Sequence, residues 1–186
     1  MNFLNYYNHH KNIRFDSFKL ALLEANNRKH KIIVETGVSR GKQKFWFFSK
    51  INWKDGMSTM IFSDYVKEVE GHMYSCDINN RSIVHAKKFV KKNLDFVTFV
   101  NDDSLKFLKS FNKKIDFLYL DSLDGQMENA NEHQLSEIKI ALPKLKKNSL
   151  VLLDDKATKT KLSAKYLLEN NYKIVNETNE QILFSL

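Results

Sequence analysis

Short apolar runs, rich in β-branched and aromatic residues, recur along the chain with polar, helix-like stretches between them. Ile32-Ile33-Val34 is the first, and it shows no alternation of apolar and polar positions. A run without alternation suits a strand buried on both faces, as in a parallel sheet. The same signature returns at His72–Cys76, Phe96–Val100, Ile115–Leu120 and Leu150–Leu153. Helical patterns fill the gaps at about 57–70, 79–92, 103–111 and 131–146. Another, over 16–29, precedes the first run. Asp16 can cap it, and Phe18, Leu20, Ala21, Leu22 and Leu23 give it an apolar face. This succession predicts an α/β fold: a doubly wound, mostly parallel sheet with helices on both faces.

The end of the chain breaks the rhythm. After a helical stretch at 159–170, Tyr172–Val175 and Gln181–Phe184 are strand-like, and only Asn176–Glu180 separates them. That gap is too short for a parallel crossover, so the pair is expected to form an antiparallel hairpin. Residues 1–30 read as an N-terminal helical segment and 31–186 as the main domain.

Composition narrows the class. A length of 186 residues fits one domain. The single cysteine, Cys76, rules out an internal disulfide, disfavours a cysteine-based zinc site and reads as core. No apolar run approaches the ~18–20 residues of a membrane span. Met1–Lys11 is polar and lacks the apolar centre of a signal peptide, so a cytoplasmic protein is expected. The formal charge is +8, from 30 basic and 22 acidic residues, yet only four of the basic residues are Arg. Arg is preferred where phosphates or bases are gripped bidentately, so nucleic acid is a minor reading.

In open parallel sheets ligands bind beyond the carboxyl ends of the strands. The first strand ends in Glu35-Thr36-Gly37, where glycine permits a tight turn or a close approach of backbone to ligand. The second ends in Cys76-Asp77-Ile78, and an acid there can accept from both hydroxyls of a ribose. Asp77 could also be a helix N-cap. The third ends in Asn101-Asp102-Asp103-Ser104, where an acid can meet the exocyclic amine of adenine or cap a helix. The fourth ends in Asp121-Ser122-Leu123-Asp124-Gly125 and the fifth in Asp154-Asp155-Lys156. Acids therefore close four successive strands in a chain with excess Lys.

The ordered set IVETG (33–37), DGMST (55–59), GHMYSCDIN (71–79), VTFVNDDSLKFL (97–108), IDFLYLDSLDG (115–125) and HQLSEIKIALPKLKKNSLVLLDD (133–155) resembles class I S-adenosylmethionine (SAM) dependent methyltransferases, especially small O-methyltransferase-like members. The resemblance implies a seven-stranded sheet whose last strand is antiparallel. It implies that Glu35, Thr36 and Gly37 line the methionine part of SAM, that Asp77 holds the ribose and Ile78 packs on adenine, that Asp103 and Ser104 lie at the adenine edge, and that Asp121 ends its strand beside the transferable methyl.

The chain departs from that family between Gly37 and Gly56, where a compact glycine turn is usual. Either Gly41 closes the turn, or 38–55 is an insertion and Gly56-Met57-Ser58-Thr59 resumes the motif. The ribose acid follows the turn by about 20 residues in Rossmann-like units. Asp77 lies 21 after Gly56 but 36 after Gly41, which favours the insertion and adds Gly56, Ser58 and Thr59 to the cofactor set. The insertion is basic and aromatic and reads as a lid or pocket wall; a plain hydrophobic plug, a stacking surface for single-stranded nucleic acid and a membrane-surface contact are the other readings.

A hydroxyl acceptor needs a base or a metal. The candidates for catalysis are Asp121, His133 and Asp155, with Asp124 and Asp154 nearby. Asp121, Asp154 and Asp155 could gather oxygens around Mg²⁺, and they could equally cap helices. His9 and His10 read as an exposed tail. The expectation is methyl transfer to a hydroxyl of a small or sugar-like molecule. Cleavage of SAM, or a non-catalytic module that binds SAM or nucleic acid, are the alternatives. The N-terminal helix is a candidate to cover the pocket or to join two copies into a homo-oligomer.

Overall fold

The computed structural model describes residues 1–45 and 48–186, and of 42–45, 48–50 and 55 the backbone alone. In chain order the elements are α1 (Leu4–Tyr7), α2 (Phe15–Asn27), β1 (Ile32–Thr36), β2 (Lys42–Phe45), β3 (Phe48–Ile51), α3 (Ser58–Glu68), β4 (His72–Cys76), α4 (Asn80–Phe89), β5 (Val97–Val100), α5 (Ser104–Ser110), β6 (Ile115–Leu120), α6 (Ala130–Ala141), β7 (Leu145–Leu153), α7 (Lys161–Glu169), β8 (Lys173–Glu177) and β9 (Ile182–Ser185).

Seven strands form one sheet in the order β5-β4-β1-β6-β7-β9-β8. The pairs β4–β5, β1–β4, β1–β6 and β6–β7 are parallel, whereas β9 is antiparallel to both β7 and β8. The expected doubly wound sheet and its terminal hairpin are both present. The strand order reverses on either side of β1, which puts the switch point beside the end of β1.

Burial on both faces explains why the runs do not alternate. Ile33, Phe117, Tyr119, Leu150 and Leu152 point to one face and pack with α2 and α3 through Phe18, Leu22, Phe62 and Tyr65. Val34, Leu118, Leu120, Val151 and Leu153 point to the other face, against Phe107, Ile138, Ala141 and Leu167 of α5, α6 and α7. On the first face Phe62 meets the rings of Phe18, Phe117 and Tyr119 edge-on at 5.4 Å each, the arrangement aromatic quadrupoles favour. Truncating a buried ring of this kind typically costs about 3–5 kcal/mol.

Four local differences have physical causes. The helix expected over 131–146 stops at Ala141, because Pro143 in the following 3-10 turn cannot donate a helical hydrogen bond. Strand β7 consequently starts at Leu145, five residues before the apolar run, with an irregular register against β6. The 38–55 stretch contains an antiparallel hairpin, β2 with β3, that stands apart from the main sheet and is closed at its base by Asn52 N–H donating to Gly41 O at 3.0 Å. Trp46 and Phe47, central to the stacking readings of this stretch, lie outside the described residues. His9 is not a free tail: its ring stacks on Trp53 at 4.5 Å. Among the described residues no helix is long and apolar enough to cross a membrane.

Candidate functional site at the carboxyl edge of the sheet

The parallel ladder continues one residue past each strand end. Asp121 N–H donates to Thr36 O at 2.8 Å, Asp77 N–H to Val100 O at 3.1 Å and Asp154 N–H to Leu120 O at 3.2 Å. Those bonds set three acids side by side along the edge. Gly37 lies between them at φ +85°, its N–H on Cys76 O at 2.9 Å, and a Cβ there would sit 2.1 Å from Asp121 O. Only glycine lets the turn after β1 lie this close to the end of β6.

A cavity of about 420 Å³ opens over this edge, lined by Gly37, Asp77, Asp121, Asp124, Asp155 and Arg14 among others. That volume is within the ~300–1,000 Å³ of small-molecule sites. A narrower cavity of about 100 Å³ shares Gly37 and Asp77 with it and reaches Ile78, Asp103, Ser104 and His133. Asp77 is the hinge between the two. Its Oδ2 accepts Val38 N–H at 3.0 Å and its Oδ1 accepts Asn79 N–H at 2.7 Å, which fixes the carboxylate and leaves a lone pair on each oxygen. Asp77 does not cap α4; Asn79 does, accepting from Arg81 N–H. Asp103 caps α5 through Lys106 N–H at 3.0 Å, and its carboxylate also borders the narrow cavity. Ile78 is 75% exposed, an apolar side chain left without cover on the cavity wall.

Glu35, Thr36, Gly56, Ser58 and Thr59, also expected at the cofactor, do not line either cavity. Glu35 is fully buried below the cavity floor, where Ser58 Oγ donates at 2.6 Å, Thr59 Oγ1 at 2.8 Å and Ser75 Oγ as well. Burial pushes its pKa up to about 7, against the pull of those three hydroxyls. Ser58 and Thr59 therefore serve Glu35, and Thr59 Oγ1 also accepts Ser39 N–H at 2.8 Å, which braces the turn. Thr36 is buried in β1. Gly56 is away from both cavities: at φ +73° it ends a 3-10 turn against Phe18 and Arg14. The spacing to Asp77 counted the length of α3 and its loop, which is the same wherever the glycine points. His133 lies in the narrow cavity and not with Asp121 and Asp155. Its Nε2 is 3.0 Å from Ser104 Oγ and 3.6 Å from Glu137, whose carboxylate raises the imidazole pKa.

Asp121, Asp154 and Asp155 do come together, each with one oxygen within 4.8 Å of the others'. Two cations hold them, and neither was singled out in the sequence. Arg14 Nε donates to both oxygens of Asp154 at 2.8 and 2.9 Å, and Nη2 to Asp155 Oδ1 at 2.9 Å. Lys159 Nζ, nearly inaccessible, donates to Asp121 Oδ1 and Leu123 O at 2.8 Å and lies 3.1 Å from Asp155 Oδ2. Burial is the largest single influence and works against both charges, but Asp154, Tyr119 and Asp121 together outweigh it at Arg14, and Asp121, Asp155 and Asp154 together do so at Lys159, so both stay protonated. Burial and the adjacent Asp154 raise the Asp121 pKa above the usual carboxylate range, with Lys159 opposing. Asp155 adopts φ +55°, an unusual value outside glycine that aims its side chain between the two cations. The spacing of Asp155 and Lys159 at i,i+4 was readable; Arg14 carried no local signal.

A family model described as a methyltransferase domain matches residues 53–156, more than half of the chain. No curated protein matches the sequence. Among solved structures, the SAH-bound methyltransferase PaMTH1 of Podospora anserina is similar at 14% identity and TM-score 0.64, over 89% of this chain and 76% of that one. The O-methyltransferase TomG of Streptomyces achromogenes, involved in tomaymycin synthesis and solved with SAM, is 13% identical with TM-score 0.61, over 92% and 79%. An rRNA methylase of Streptococcus thermophilus is 10% identical with TM-score 0.60, over 90% and 95%. With the matched domain, the strand order and the acid-lined edge taken together, the chain belongs to the class I SAM-dependent methyltransferases.

Proposed function

We propose that this enzyme methylates a hydroxyl of a small molecule bound in the wide cavity, with the adenosine of SAM in the narrow one. The observation that carries the reading is Asp77, a fixed carboxylate shared by both cavities, with uncovered Ile78 on one side and Asp121 on the other. Bound there, SAM supplies a methyl group on a sulfonium, electrophilic without help from the protein.

Asp77 accepts from the two ribose hydroxyls, Ile78 packs on the base, and Asp103, Ser104 and His133 border its edge. The Gly37 turn brings backbone close to the methionine part. Asp121 and Asp155 face the acceptor. Asp121, its proton affinity raised by burial and by Asp154, receives the proton that leaves the acceptor hydroxyl. Arg14 lines the wide cavity together with Val38, Asn52 and Lys54, so residues from both 1–30 and 38–55 border the proposed acceptor. A cavity of this volume suits a small acceptor, in keeping with O-methyltransferase neighbours such as TomG. Mg²⁺ has no part in the reading, because Arg14 and Lys159 already occupy the oxygens it would use.

Calorimetry with SAH and incubation with methyl-labelled SAM test the proposal. SAH should bind saturably, and Asp77→Asn should weaken it by about 10–100-fold, as expected for losing charge-assisted hydrogen bonds. Label passing from SAM to a hydroxyl compound, with SAH as co-product, completes the case. Absence of SAH binding, an unaffected Asp77→Asn variant, or methylthioadenosine as the product would overturn it.

A further inference from the structure

Three carboxylates at adjoining strand ends are what a divalent cation asks for. Mg²⁺ takes oxygen lone pairs at about 2.0–2.1 Å in octahedral geometry. Here each of those carboxylates already pairs with a cation. Lys159 Nζ donates to Asp121 Oδ1 and to Leu123 O, each at 2.8 Å, and pairs with the charge of Asp155, whose Oδ2 lies 3.1 Å away. The guanidinium of Arg14 spans Asp154 and Asp155 and anchors itself through Nη1 to Lys54 O at 3.0 Å. Tyr119 OH donates to Asp154 Oδ2 at 2.8 Å. A metal entering this cluster would meet two protonated cations at contact distance from the oxygens it would bind.

The charge balance gives the arrangement a consequence. With all groups ionised, the four carboxylates of Asp121, Asp154, Asp155 and Glu180, the last 3.8 Å from Arg14, stand against one guanidinium and one ammonium, a formal −2. A divalent ion added to the same groups would cancel that charge. A cationic sulfonium is favoured beside the first and loses that attraction beside the second.

We propose that Lys159, together with Arg14, is a built-in substitute for a divalent cation. The site works without metal, and Lys159 is the positioning residue that aims Asp121 and Asp155 at the acceptor. The positioning half rests on the function proposed above; the exclusion of metal does not.

The test is a Mn²⁺ titration followed by electron paramagnetic resonance on the full-length protein and its Lys159→Ala and Lys159→Arg variants, with SAH calorimetry alongside. The wild type and Lys159→Arg should show no saturable Mn²⁺ uptake up to about 1 mM, the weak end of carboxylate sites. Lys159→Ala should take up one Mn²⁺ per chain, at least about tenfold more tightly than the wild type. A purely structural lysine would not create such a site when removed. Where Lys159→Ala folds poorly alone, Mn²⁺ should raise its melting temperature while leaving that of the wild type unchanged. Saturable Mn²⁺ binding by the wild type, loss of wild-type SAH binding in EDTA, or a Lys159→Ala variant with neither Mn²⁺ uptake nor a melting shift would each overturn the inference. Failure of SAH to bind in any buffer would instead sink the proposed function and leave the metal result standing.

Discussion

Glu35 sits inside the sheet with no access to solvent, and its ionisation should weaken the fold. Burial pushes its pKa up to about 7 from an ordinary 4.5, with Asp77 adding to the rise and the hydroxyls of Ser58, Ser75 and Thr59 opposing it. Between those two values the native protein holds a proton that the unfolded chain has released, so stability falls as pH rises. The full contribution is present below the unfolded value of 4.5, shrinks as pH rises to about 7 and is flat beyond. The loss amounts to about 3 kcal/mol, a large share of the ~5–15 kcal/mol that holds a domain together. Urea unfolding from about pH 4 to about pH 8, on the wild type and Glu35→Gln, isolates it, because every other titrating group is common to both. The amide keeps an acceptor for the hydroxyls and never ionises. The stability difference between the two proteins should therefore move by about 3 kcal/mol in favour of Glu35→Gln as pH rises through this window. Parallel curves for the two proteins would refute the reasoning.

Three further outcomes follow from the same edge of the sheet. Gly37→Ala must place a methyl 2.1 Å from Asp121 O at φ +85°, so it should lower the urea midpoint and abolish measurable SAH binding in calorimetry. Arg14→Ala leaves Asp154, 1% exposed, as an uncompensated buried charge; a loss of about 3–5 kcal/mol in urea unfolding is expected, only partly recovered by Arg14→Lys, which cannot reach both oxygens at once. Cys76 is buried and its thiol pKa is pushed up to about 12; iodoacetamide near pH 8 should leave the native protein unmodified, as read by mass spectrometry, and alkylate it only in denaturant.

The fold was legible wherever burial on both faces left an unbroken apolar run. Val34, Leu118 and Val151 face one helix layer while Ile33, Phe117 and Leu150 face the other, so neither set could be polar. The terminal hairpin was legible from the shortness of the connection between its strands. The small hairpin in the 38–55 stretch was not. Its first strand is Lys42-Gln43-Lys44-Phe45, and Lys and Gln carry little strand preference of their own. It makes no ladder with the main sheet, so the buried-run signature does not apply to it. Likewise α1, a single turn of four residues, is too short to leave a periodic pattern.

At the site, residue type and strand-end position showed which groups gather but not which way each one faces. Asp77 and Asp121 directly follow the last strand residue, Asp155 and Asp103 come two and three residues after it, and all four meet a cavity. Glu35 lies within β1, a strand buried on both faces, so its side chain stays in the core. There it accepts from the hydroxyls of Ser58, Thr59 and Ser75, and Thr59 in turn accepts from Ser39 N–H in the turn after β1. The larger gap concerns charge. Asp121, Asp154 and Asp155 read as a metal site so long as only the acids at strand ends are counted. Arg14 lies 140 residues from Asp154 in sequence yet donates to both of its oxygens, and no local pattern announces such a pair. The chemistry of an acidic cluster is decided by the cations the fold delivers to it, and here the fold delivers two from its own chain.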